Sequence, residues 1–112
     1  MQRVLQAALM VFMLLGVMLS SAHAVDLQPI PKLTQPVMDT AHMLSDSEQA
    51  QLNEQLEQYA KSKGTQIAVL TVNTTAPEDI FTYGMRVVER WQLGRAKEDD
   101  GVLLLIAKDD RK

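Results

Sequence analysis

The chain has 112 residues, 46 % of them hydrophobic and 22 % charged, with fourteen acidic residues against eleven basic ones. The resulting net charge of −3 argues against nucleic acid or anionic lipid as partner. Cysteine is absent, which excludes disulfides, thiolate metal sites, a cysteine nucleophile and an acylated lipoprotein.

The chain opens on an export signal. Arg3 gives a positive start, Val4 to Leu19 is an apolar core, and Ser20-Ser21-Ala22-His23-Ala24 ends in an A-x-A pattern. These features predict a secretory signal peptide over residues 1–24, with cleavage after Ala24 and a mature chain beginning at Val25. The competing reading is an uncleaved membrane anchor, since the core is nearly long enough to span. Small residues at the cleavage point and the lack of a basic stop-transfer flank favour cleavage. The predicted mature part is long enough for one small domain and marginal for a stable three-layer core.

Residues 25–36 hold Pro29, Pro31 and Pro36 and read as an extended leader that spaces the domain from its surroundings. Val37 to Leu44 reads as a short irregular segment. Ser45-x-x-Glu48 is a capping box that starts a first helix, whose face carries Leu52, Leu56, Tyr59 and Ala60 and which stops at Gly64. Thr65 to Val72 is β-branched at five positions and predicts a strand. Thr75-x-x-Glu78 has the form of a second capping box, followed by a helix with Ile80, Gly84, Val87, Val88 and Trp91 on one face. Val102 to Ala107 is an apolar run without polar alternation, the signature of a central strand covered on both faces.

Strand, helix and strand make a βαβ crossover, with the first helix expected to pack beside the second. A central strand needs a neighbour on each side. Asp109-Asp110 reads as the turn into such a neighbour, yet only Arg111 and Lys112 follow. The sequence therefore reads as ending inside its own domain, after an incomplete βαβ unit. Such a chain is expected to be poorly stable and prone to associate through its open edge.

Motif chemistry is sparse. There is no Walker loop, G-x-G-x-x-G, H-E-x-x-H or G-x-S-x-G. His42 is the one histidine after the signal segment and has no metal-ligating companion at motif spacing. Ser45 reads as a cap rather than a nucleophile, and Trp91 and Tyr83 as core and rim. Ligands of open α/β sheets bind beyond the carboxyl ends of the strands, an edge that here includes Asn73, Thr74, Lys108, Asp109 and Asp110. Adjacent aspartates there offer oxygen ligands to a hard cation, but a solvated turn is the plainer reading. Glu98-Asp99-Asp100 lies at the amino end of the same strand, a full strand length away, and reads as an exposed loop.

Three motifs together resemble the TPM domain of YgcG-like bacterial proteins and of a thylakoid-lumen protein of photosystem II repair. They are Val37-x-Asp39-x-Ala41-x-x-Leu44-Ser45, Trp91-x-Leu93-Gly94, and Asp100-Gly101-Val102-Leu103-Leu104-Leu105 followed by Asp110-Arg111-Lys112. The resemblance covers residues 37–112 and implies a three-layer α/β sandwich exported beyond the bacterial cytoplasmic membrane, in the periplasm or associated with a membrane. It implies Asp39, Asp100 and Asp110 as acidic positions for a divalent cation, Ca2+ or Mg2+, with Asp99 a weaker match and Trp91 and Arg111 structural. The implied functions are an accessory module of a membrane protein complex or, as the alternative, a metal-assisted acid phosphatase represented by an inactive fragment. No small-molecule substrate is indicated.

Overall fold

A computed structural model describes residues 26–94 and 100–112. The predicted signal peptide and the weaker site position Asp99 lie outside the described residues. The elements run β1 (Val37–Asp39), α1 (Asp46–Lys63), β2 (Thr65–Val72), α2 (Ile80–Trp91) and β3 (Asp100–Ala107). The strands form one parallel sheet in the order β1-β2-β3, with Asp39 beside Thr71 and Thr65 beside Asp100.

Side chains alternate along a strand, so the register divides the sheet into two faces. Ala68, Leu70 and Val72 share one face with Leu103, Leu105 and Ala107, and Ile67, Val69 and Thr71 share the other with Val102, Leu104 and Ile106. On the first face Tyr83, Val87 and Trp91 of α2 close a core around Leu70, with Leu103 and Leu105 packed against it. On the second face α1 lies over β1 and β2 without reaching β3. The helices thus cover opposite faces, giving helix, sheet and helix layers around three parallel strands. The expectation that they pack side by side is wrong: each has one apolar stripe, and a parallel sheet with two apolar faces takes one helix on each.

Helix α1 begins as its sequence predicts. The Ser45 hydroxyl accepts from the Glu48 N–H and the Glu48 carboxylate accepts from the Ser45 N–H, while Gly64 ends the helix in the left-handed region. Its inward stripe is Gln49, Leu52, Asn53, Leu56 and Ala60, none fully buried, whereas Tyr59 is 44 % exposed and off that stripe. Helix α2 starts later than predicted. Thr75 and Glu78 close a turn through two hydrogen bonds of 3.0 Å, and Asp79 is the cap, accepting from the Thr82 N–H at 2.8 Å. Glu78 is unavailable as a capping partner because Arg86 holds it at 2.6 Å.

Two strand expectations change. Val37–Asp39, read as irregular, is a strand, and β2 rather than β3 is central. Val102 and Leu104 are 48 % and 52 % exposed because α1 stops short of them. The two glycines of the family-like motifs meet back to back. A Cβ on Gly101 would lie 2.4 Å from the Gly94 nitrogen, so the turn after α2 seats directly on the start of β3.

The leader does not stand off as a spacer. The Tyr83 hydroxyl donates to the Pro29 carbonyl at 2.9 Å, Trp91 Nε1 to the Pro31 carbonyl at 2.8 Å, and Ile30 and Leu33 pack on the core. Prolines 29 and 31 keep the segment from helix, as read, but the apolar residues between and after them bind it to α2.

Candidate functional site

The carboxyl edge of the sheet brings three loops together. The first leaves β1 and wraps around Asp39. Its Oδ1 accepts from the Thr71 hydroxyl at 2.6 Å and the Met43 N–H at 3.0 Å, and Oδ2 accepts from the Leu44 N–H at 2.9 Å. His42 takes a left-handed φ of 53° and its N–H closes a turn onto the Asp39 carbonyl. The Thr40 hydroxyl donates to the Thr71 carbonyl and the Ala41 N–H to the Thr71 hydroxyl, which joins this loop to β2.

Asp110 does the same work across the other gap. Its carboxylate accepts from the Thr74 hydroxyl at 2.9 and 3.0 Å and from the Thr75 N–H at 3.0 Å. The parallel ladder continues beside it, with the Lys108 N–H bonded to Val72 and the Asp109 N–H to Asn73. The chain then turns back: Arg111 has a left-handed φ of 56°, and Ala107 and Lys112 exchange backbone hydrogen bonds. Four residues, 108–111, thus connect the paired Ala107 and Lys112, a hairpin-type turn whose last residue is left-handed.

Both carboxyls are kept ionised. For Asp39, burial works against the charge, but the Thr71 hydroxyl and the Met43 and Leu44 N–H groups outweigh it and hold the carboxyl below its ordinary 3.8. For Asp110, the Thr75 N–H leads, followed by the Thr74 hydroxyl, and the carboxyl again lies below 3.8. Each aspartate therefore acts as an anionic clip between loops.

The three sequence-predicted positions do not converge. Asp39 and Asp110 share the carboxyl edge but stand on either side of β2, roughly 10 Å apart by strand spacing. Asp100 pairs with Thr65 at the amino edge, roughly 23 Å away along β3. Among the described residues no three His, Cys, Asp or Glu side chains lie close enough to share a metal ion. A cation at Asp39 or Asp110 would compete with the loop donors already bound there. Trp91 and Arg111 take structural places, the first in the core and the second in the hairpin turn.

Between the ends of β1 and β2 and residues 28–31 lies a cleft of about 310 Å³, lined by Thr40, Val72, Asn73 and Thr74 and by Gln28, Pro29, Pro31 and Tyr83, but by neither Asp39 nor Asp110. The leader is thus part of the wall of this cleft. Sequence reasoning did not find Thr71, Thr74 and Thr75 as partners of the two aspartates. Their signal was present as polar residues closing an otherwise apolar strand, but threonine there also satisfies strand propensity.

The family model of the TPM domain matches residues 37–112. The chain belongs to the TPM domain family. A comparison with curated proteins finds no match.

Proposed function

We propose that this TPM-domain protein is an exported accessory module, working in the periplasm or at a membrane by binding a protein complex rather than by catalysis. The observation that carries the reading is the engagement of Asp39 and Asp110. Asp39 already accepts from three donors and Asp110 from two, the Thr74 hydroxyl shared between both its oxygens and the Thr75 N–H, so the edge serves to fix loop shape. The half-exposed Val102 and Leu104 give the same module an apolar surface suited to a protein partner. Export rests on the sequence of residues 1–24. Among the described residues no helix is long and apolar enough to cross a membrane.

A second reading, metal-assisted acid phosphatase, draws on the two carboxyls held below their ordinary range. The lowering favours the ionised carboxylate, the form of an aspartate that ligates Ca2+ or Mg2+. Hydrolysis of a chromogenic phosphate ester, with and without each cation, separates the two. The accessory reading expects no turnover above the protein-free blank and no calorimetric heat from micromolar Ca2+. Turnover that falls in Asp39→Asn or Asp110→Asn would establish the phosphatase instead. Mass spectrometry of the exported protein should find Val25 at the amino terminus, and a chain retaining Met1 would remove the export part of the proposal.

A further inference from the structure

The three polar side chains that α2 directs at residues 28–31 all bind main chain. Arg86 Nη2 donates to the Gln28 carbonyl at 3.1 Å, Tyr83 to Pro29 and Trp91 to Pro31. A further bond runs from the Gln28 side chain to the Ala76 carbonyl at 3.0 Å, just before α2. The segment therefore follows α2 from its amino to its carboxyl end, with Ile30 and Leu33 set against the core. Arg86 is itself braced by Glu78 and lies 5.5 Å from the centre of the Tyr83 ring. Arg86 is thus held by contacts that do not involve the segment it binds.

Recognition through carbonyls, next to aromatic side chains, is how grooves take up extended proline-containing segments. Proline limits the conformations lost on binding and leaves its carbonyl free. We infer that α2 presents a recognition groove for an extended proline-containing segment, and that residues 28–33 are its ligand in cis. A partner segment of the same chemistry would displace this strap. Because Gln28, Pro29 and Pro31 also wall the cleft beside Thr40 and Thr74, displacement would open the carboxyl edge of the sheet. This inference stands apart from whether the edge binds a cation or cleaves a phosphate.

Lys32 lies exposed within the strap and gives a built-in reporter, since trypsin cuts after it only when the strap lifts. In the full chain, Tyr83→Phe should speed cleavage at Lys32 by about tenfold, the factor that one lost buried hydrogen bond gives an opening equilibrium. Tyr59→Phe should leave the rate unchanged. Pro29→Gly with Pro31→Gly, which alters no residue of the buried core, should also speed cleavage and serves if Tyr83→Phe fails to fold. A synthetic peptide of residues 26–36 carrying Lys32→Gln, added in excess to the unaltered chain, should accelerate cleavage and saturate. The same peptide with glycine at both proline positions should not. Equal cleavage in the unaltered chain and both variants would overturn the docked strap. Failure of the peptide to accelerate cleavage, or equal action by its glycine form, would overturn the recognition groove.

Discussion

The two faces of the sheet are held by different physics. The α2 face is apolar and closed, with Tyr83, Val87 and Trp91 buried against Leu70 and the strap laid over the outside. The α1 face buries Val37 and Val69 but its helix is also fixed by polar groups. Asn53 Oδ1 accepts from the Val37 N–H at 2.7 Å, Gln49 donates to the Val37 carbonyl at 2.9 Å, and α1 has no fully buried residue. A cavity of about 520 Å³ remains between the end of α1, the start of β2 and residues 33–36. Hydrophobic burial is non-directional and scales with area, whereas a hydrogen bond contributes little net energy but fixes position. The α2 face should therefore dominate stability, and the α1 face should set where β1 and its Asp39 loop lie.

Core truncation is the strongest way to break that contrast. Leu70→Ala, at a fully buried position under α2, should cost about 3–4 kcal/mol, within the range for leucine truncation in a core. Leu56→Ala on the partly buried stripe of α1 should cost less, about 1.5 kcal/mol, because part of its side chain stays in water. Urea unfolding of both variants checks the ratio, and equal losses would show that the faces contribute alike. Gly101→Ala should fall between them at about 2 kcal/mol, since its new Cβ meets backbone that has no rotamer to change.

Next come the polar clips. Asn53→Ala should cost about 1 kcal/mol, the typical net value of a hydrogen bond, while leaving the buried α2 core intact. Amide exchange would show the effect as faster exchange confined to residues 37–44. Exchange accelerated equally in α2 would mean that the two faces are not separable.

Acid should act on the same clips. Asp39 and Asp110 are lowered below 3.8 in the folded chain, so their contribution is present above that value. It is lost as pH falls through their folded values, where protonation removes the acceptors. The thermal midpoint should fall on acidification below about pH 4, and Asp39→Asn should flatten part of that fall. Base should act on the other face. Burial raises Tyr83 above 10.0, so its contribution is present below that value and lost as pH rises through the higher folded one, freeing the strap.

How far the sequence discloses this molecule follows the same division. Elements defined by periodic side chains are legible: the capping box at Ser45, the strand Thr65–Val72 and the stripe of α2 need only local pattern. β1 escapes because three residues are too few for a period, and its partner is found 32 residues later. The strap escapes because proline announces a conformation, not a docking place. At the candidate site, chain order alone puts Asp100 at the opposite end of β3 from Asp110. That Asp39 and Asp110 are bound by Thr71, Thr74 and Thr75 depends on tertiary closure, which spacing does not encode.

The smallest expected effect lies on β3, where neither kind of physics has yet acted on one side. Val102 and Leu104 keep about half their surface in water, and α1 does not extend over them. Replacing either by threonine keeps β-branched or strand-compatible geometry and gives up little burial, so stability should change by only about 0.5 kcal/mol. The apolar character of the surface should change much more. Binding of a hydrophobic dye should fall in Leu104→Thr, and light scattering should decrease if that surface drives association. A stability loss as large as that of Leu70→Ala would show that this part of the sheet is covered in solution. It would then belong with the closed face, and the contrast between the two sides would have to be redrawn around β3.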